Sequence, residues 1–186
     1  VMGSELVKAI DDNPSPKVGL LNIGQEAIKG NEQVKAANQL LSNSHLNYLG
    51  YVEGDGIFLE DFDVIVCDGF VGNVALKTTE GLAKMISQRL KRQYKQTLFS
   101  KLAAVVSLPV LNAFRKGVDP RRYNGASLLG LQGIIIKSHG GADSLSFANA
   151  ISIARQEAIK NVPQKINDQL AALVVEQEQK KLAVSA

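Results

Sequence analysis

Residues Asp63 to Gly81, DVIVCDGFVGNVALKTTEG, constrain the fold more than any other stretch: an apolar run, a polar glycine turn and then helical spacing. Val64, Ile65, Val66 and Cys67 follow one another without a polar interruption, the pattern of a strand buried on both faces of a parallel sheet. Asp68 and Gly69 close that run, Gly72 allows a sharp bend, and Asn73 is placed to cap or line the helix that follows. Strand, glycine turn and helix N-terminus together present free backbone N–H groups and a positive dipole end, which favours an anion. Lys77, one turn into the helix, adds a charge. DGFVGN is neither a dinucleotide-binding fingerprint nor a P-loop, so the turn alone names no ligand.

A chain of 186 residues is long enough for one sizeable core. With 45% hydrophobic residues, few aromatics and no tryptophan, it reads as an aliphatic α/β protein rather than a nucleic-acid binder that stacks bases. A net charge of +3 is too small to argue for DNA. The one cysteine, Cys67, excludes an internal disulfide framework and a cysteine-rich zinc site and favours a reducing compartment. Two histidines far apart in sequence argue against a metal site, and no cofactor is expected. The opening VMGSELVKAI lacks the basic and apolar regions of a signal peptide. It reads as the middle of an amphipathic helix, so the expectation is the later part of a longer protein.

Taken in order, Met2, Leu6 and Ile10 share one helical face, VGLLNI from Val18 is a buried-strand run, and Val34, Ala37, Leu40 and Leu41 mark a helix with Glu32 in its first turn. A second strand is expected over Leu46 to Val52, and the strand at Asp63 is the third. From Val74 the helical spacing runs to about Val106, where Pro109 is expected to break it. Within that length a basic stripe, Arg89, Lys91, Arg92 and Lys95, precedes the apolar LFSKLAAVVSLPVLNAF, and Arg115, Lys116, Arg121 and Arg122 follow. Lys101 and Pro109 interrupt the apolar part, so it makes a poor transmembrane span; a helical hairpin over residues 89–122 projecting from the body is expected. Ile134 to Lys137 reads as a fourth buried strand. A helix follows from Asp143 with Phe147, Ile151 and Ala154 inward. The last helix starts at Pro163 with Ile166, Leu170, Leu173 and Val174 on its apolar face, and the polar tail over 177–186 is expected to fray.

Three strand exits share a vocabulary of glycine with polar side chains: Asn22 onward, Asp68 to Asn73, and Lys137 to Gly141. Ligands of an open parallel sheet bind beyond the carboxyl ends of its strands, so these exits are candidates to converge on one crevice. Lys29, Lys77 and Lys137 are candidate anion contacts, against the alternative of ordinary solvated lysines. His139, between a buried strand and two glycines, is placed like a catalytic acid, with a plain helix-start hydrogen bonder as the alternative. Cys67 reads as structural. The basic–apolar–basic segment suits a membrane interface, an acidic protein partner or a homodimer surface.

Taken together, VGLLNIGQEAIKGNE, YVEGDGIF, DVIVCDGFVGNVALKTTEG and GASLLGLQGIIIKSHGGAD closely resemble the bacterial phosphate acyltransferases of phospholipid synthesis, from about Pro16 to Ala158. That resemblance implies a three-layer α/β/α sandwich with a mostly parallel sheet, like that of isocitrate dehydrogenases and phosphotransacetylases, of which residues 1–186 would be the C-terminal part. It implies transfer of a fatty acyl group from acyl carrier protein to inorganic phosphate by a cytoplasmic, dimeric enzyme held peripherally on the membrane.

Lys77 and His139 are then the candidate catalytic groups. Asn22, Gly24, Lys29, Asp68, Gly69, Gly72, Asn73, Lys137 and Ser138 are candidate phosphate or acyl contacts. Arg89, Lys91, Arg92, Lys95, Arg121 and Arg122, with Leu102, Val105, Val106 and Leu108, are candidates to meet the carrier protein or the membrane. Two features depart from the family pattern. The N-terminal half, with its further strands, is missing, which predicts that this piece alone is inactive. Gln25 stands where relatives often carry an acidic residue, which weakens this loop as a source of a general base. A coenzyme A-dependent phosphotransacetylase and a membrane-binding, dimerising module without activity are the rival readings.

Overall fold

The computed structural model describes residues 1–117 and 124–184. It is an α/β protein whose chain divides into two compact units, Val1–Val66 with Arg121–Ala186, and Cys67–Pro120.

The first unit is built on β1 (Val18–Leu21), the centre of a three-stranded parallel sheet in the order β2–β1–β3, with β2 at Tyr48–Val52 and β3 at Val64–Val66. A central strand has neighbours on both sides, and Val18 and Leu20 are correspondingly sealed; Val52, at the end of β2, is buried as well. Gly19 is the position where β1 tolerates no side chain: a Cβ there would stand 2.8 Å from the Phe62 ring. The run Val64 to Cys67, expected to be buried on both faces, is not. Val64 and Ile65 are half-buried, and Val66 and Cys67 are exposed, because β3 is an edge strand of this sheet. An apolar run reports that a strand forms, not how many layers cover it. The edge is fastened by the Lys17 carbonyl, which accepts from the amides of Asp63 and Val64 at 3.0 Å, and by the Asp63 carboxylate, which accepts from the Lys17 amide at 2.6 Å.

Between β1 and β2 runs α2 (Glu32–Ser42), started by Asn31, whose side chain accepts from the Val34 amide at 2.9 Å. A short helix, α3 (Gly56–Leu59), precedes β3. The other apolar centre joins α1 (Met2–Ile10) to α7 (Val162–Val184): Ala9, Val162 and Ile166 are buried, with Met2, Leu6, Ile10, Leu129 and Leu170 packed against them. The 3.6-residue spacing of α1 thus delivers the face it predicts. On α7, Val174 is exposed, and helical backbone continues to Val184 through the polar stretch expected to fray.

Two expectations for this unit need correction. Ile134 to Lys137 is not a fourth strand of the parallel sheet. Only Ile136–Lys137 (β5) is extended, paired antiparallel with Ala126–Ser127 (β4) as a separate two-stranded ribbon, and Ile135 is 52% exposed. In α6 (Ser144–Ile159), Phe147 and Ile151 do not face inward; each is 56% exposed, while Ser146, Ala150 and Glu157 are buried. The cause is a close approach. Gly125, at φ +124°, lies so near α6 that a Cβ would meet the Ala150 Cα at 3.1 Å, which admits only small residues on that face.

The second unit holds α4 (Gly69–Tyr94) and α5 (Leu98–Gly117), which are in contact. The single helix expected from Val74 to about Val106 is therefore two. The break is made by Thr97 and Ser100, not by Pro109. The Thr97 amide donates to Ser100 Oγ at 2.9 Å and the Ser100 amide donates to Thr97 Oγ1 at 3.0 Å, a reciprocal cap that starts a new helix. Pro109 sits inside α5. Helix α4 also begins five residues earlier than the spacing suggests, so Gly72 and Asn73 lie within it and neither bends nor caps the chain. Gly72 has another use: a Cβ would stand 2.8 Å from Cys67 Sγ. Among the described residues no helix is long and apolar enough to cross a membrane.

Candidate functional site

The exit of β1 folds onto itself. Asn22 is buried and donates from Nδ2 to the Gly24 carbonyl at 3.0 Å, so its amide is engaged within the loop. Its Oδ1 has no hydrogen-bond partner and faces Gly30, which has φ +86° and where a Cβ would fall 2.5 Å from that oxygen. Gly24 is buried against the stem of Lys29, whose side chain is exposed. Of this loop, then, Lys29 offers a charge to solvent, while the unpaired Asn22 acceptor is sealed inside.

At the start of α4 the anion is already present, and it is part of the chain. Asp68 is the N-cap: one carboxylate oxygen accepts from the amides of Phe70 at 2.8 Å and Val71 at 3.3 Å. This is the favourable meeting of negative charge with a helix N-terminus, made internally. Gly69 is the first helical residue, and Gly72 and Asn73 follow in the next turn. Lys77 is exposed and paired with Glu80 at 3.2 Å, one turn along the same helix. Partial desolvation, and then the adjacent Asp68 carboxylate, push the Cys67 thiol above its ordinary value, so it is protonated at neutral pH. That matches a structural cysteine better than a nucleophile.

The exit of β5 is different. Asn124, nine-tenths buried, reaches the turn from just ahead of β4: Nδ2 donates to Ser138 Oγ and to the Ser146 carbonyl, both at 2.8 Å, and Oδ1 accepts from the His139 amide at 2.8 Å. Every hydrogen-bonding direction but one of this carboxamide is thereby used. The turn closes with the Gly141 amide donating to His139 Nδ1 at 3.0 Å and the Ala142 amide donating to the His139 carbonyl at 3.0 Å. With Nδ1 accepting, the network assigns the ring hydrogen to Nε2. Helix α6 then starts at Asp143, which accepts from the Ser146 amide at 2.9 Å and the Ser146 hydroxyl at 2.7 Å. His139 and Lys137 are exposed and Ser138 is half-exposed, so the turn presents an imidazole N–H, a hydroxyl and an ammonium to a ligand.

Sequence reasoning chose Ser138 and His139 but missed Asn124, whose only signal is an Asn–Gly pair that reads as an ordinary turn. Nothing in the order of residues ties it to a serine fourteen positions on.

The basic stripe Arg89, Lys91, Arg92 and Lys95 is exposed along the last turns of α4 and at its C-cap. Leu102, Val105, Val106 and Leu108 are exposed along α5, Val106 to 75%. Arg121 and Arg122 lie outside the described residues. Among the described residues no group of three or more His, Cys, Asp or Glu is arranged to hold a metal ion.

Comparison with known proteins adds a family. The model of the family described as fatty acid synthesis protein matches residues 1–165. The phosphate acyltransferase of Methylococcus capsulatus is 60% identical over 170 residues, which is 91% of this chain and 50% of that protein. That of Dichelobacter nodosus is 59% identical over 171 residues, 91% of this chain and 50% of the relative. That of Alkalilimnicola ehrlichii is 56% identical over 178 residues, 96% and 52% respectively. The chain spans about half the length of the curated relatives it matches.

Proposed function

The chain belongs to the fatty acid synthesis protein family, and from that we propose that it forms part of an enzyme transferring a fatty acyl group from acyl carrier protein to inorganic phosphate. The observation carrying this reading is the identity, across nine-tenths of the chain, with proteins named phosphate acyltransferase. A phosphate oxygen attacks the thioester carbonyl carbon; the C–O bond forms, the C–S bond breaks, and the thiol of the carrier's prosthetic arm leaves with a proton. Such a reaction needs the dianion held beside the carbonyl, donors for the developing oxyanion and a proton for the thiolate.

The turn after β5 is suited to these needs. His139 Nε2–H is the donor to the oxyanion or the departing sulfur, the Ser138 hydroxyl and the Lys137 ammonium hold the phosphate, and Lys29 supplies further positive charge; Lys77, on α4 of the second unit, is a separate candidate for the chemistry. Asn22 and Gly24 shape the β1 exit that carries Lys29, Gly69, Gly72 and Asn73 form the first turns of the helix that carries Lys77, and the Asp68 carboxylate serves that helix as its cap. The parallel sheet is the piece, within this chain, of a three-layer sandwich whose other strands come from the portion of the relatives that it does not span.

Acyl carrier protein is acidic, and the stripe Arg89, Lys91, Arg92 and Lys95 is its docking surface. The exposed aliphatic face Leu102, Val105, Val106 and Leu108 of α5 serves peripheral contact with the inner face of the membrane and dimer formation. The test is acyl-phosphate release, comparing acyl carrier protein thioesters with coenzyme A thioesters, by this chain and by a form extended with the preceding half of the Methylococcus relative. The extended form is expected to use the carrier-protein donor, and the chain alone to be inactive. Preference for coenzyme A donors would make the protein a phosphotransacetylase instead. Flotation of the chain with liposomes, lost on deleting Leu102 to Leu111, checks the membrane face separately.

A further inference from the structure

The side chain that organises the β5 turn is not one of those assigned to the reaction. Asn124 is held on the turn by three bonds, and each has a consequence. Its Nδ2 donates to Ser138 Oγ, so the serine oxygen is an acceptor there and the serine's own hydrogen is left to point elsewhere. Among the described residues the Ser138 hydroxyl donates to no other group. The second Nδ2 hydrogen is anchored on the Ser146 carbonyl in the first turn of α6, which gives the carboxamide a fixed base. Its Oδ1 takes the His139 amide, which removes that backbone N–H from the donors available to a ligand and locks the residue that carries the imidazole. The lock bears on the ring because both belong to one turn, in which the Gly141 amide donates to Nδ1 and the Ala142 amide donates to the His139 carbonyl.

We infer that Asn124 is a positioning residue, which sets Ser138 as a hydroxyl donor and His139 as an Nε2–H donor on one exposed turn, a pair matched to an anionic oxygen. The pairing of this turn with phosphate rests on the function proposed above; the positioning itself does not. A carboxamide does both jobs from separate atoms, its nitrogen donating to the serine and to the Ser146 carbonyl while its oxygen accepts from the histidine amide. Aspartate would keep the acceptor and lose the donors, so the serine hydrogen would turn inward to the carboxylate.

The test uses the protein labelled with nitrogen-15 in histidine, whose two residues, His45 and His139, are told apart by His45→Gln. Long-range proton–nitrogen spectra above the imidazole titration read the tautomer directly. Wild-type His139 is expected as a single Nε2–H tautomer; Asn124→Ala is expected to give the mixture of a free imidazole, and Asn124→Asp to restore the single tautomer, because it keeps the bond to the His139 amide. A single tautomer in all three, or a mixture in both variants, would overturn the positioning role. Inorganic phosphate is then titrated into wild type, Asn124→Asp and Ser138→Ala. The wild-type His139 signals are expected to shift, and the concentration needed is expected to rise at least tenfold in either variant. If the tautomer pattern holds and phosphate leaves His139 unmoved, positioning by Asn124 stands and the phosphate reading of the turn falls.

Discussion

The turns that open α4 and α6 both lead from a strand to an aspartate cap, yet they end in opposite chemical states. The cap is Asp68 in one and Asp143 in the other, and only the turn before α6 contains glycines, Gly140 and Gly141. At α4 one residue, Cys67, separates strand and cap, and the Asp68 carboxylate occupies the amides of Phe70 and Val71 that an external anion would use. At α6 five residues separate strand and cap, and Asn124 reaches across to hold them, which leaves a hydroxyl and an imidazole N–H facing outward. A strand–turn–helix is therefore an anion site only if something other than the ligand has not already met its donors.

Substitutions can break or sharpen this contrast. The largest expected effect is on turnover of the extended enzyme: His139→Ala should lower acyl-phosphate formation on the order of 100-fold, the size of one lost acid–base group. Asp68→Asn, which keeps an oxygen to cap α4, should leave turnover within a few-fold. Equal losses would mean that both turns touch the reaction. On stability, urea unfolding should show Asp143→Ala costing about 2 kcal/mol and Asp68→Ala about 1 kcal/mol, the upper and middle of the range for lost caps. Asp143 serves a buried serine through both its amide and its hydroxyl, whereas Asp68 serves exposed residues. A larger cost at Asp68 would reverse the ranking.

The smallest effect is at Cys67. Its thiol lies above its ordinary value, from desolvation first and the Asp68 charge second, so Asp68→Asn should move the pH midpoint of alkylation down only part of the way. Because the folded protein holds this proton more tightly than the unfolded chain, Cys67 should lower stability as pH rises past the thiol's ordinary value and should have no effect below it. Alkylation at the midpoint of a free thiol in the unsubstituted protein would refute the assignment.

Much of the framework was legible in the order of residues. Apolar runs marked β1 and β3, the second expected strand falls on β2, and helical spacing marked the face of α1 that meets α7 and, through Val34, Ala37, Leu40 and Leu41, the position of α2, because each depends on neighbours within a turn or a strand. Ser138 and His139 could be chosen from the glycines after them. The failures share a cause. That Val64 to Cys67 lies at an edge, that Ile136 pairs antiparallel with Ser127, and that Phe147 faces solvent all follow from what stands opposite each element. Gly125 against Ala150 fixes the buried face of α6 more firmly than the spacing of its apolar residues does.

By itself, then, the sequence determined β1 to β3, most of the helical stretches and the family, since local spacing and long shared motifs are properties of the chain in order. Tertiary structure alone decided which donors are already satisfied. Whether a hydrogen bond is free depends on a partner brought close by folding, as Asn124 is to Ser138 and His139.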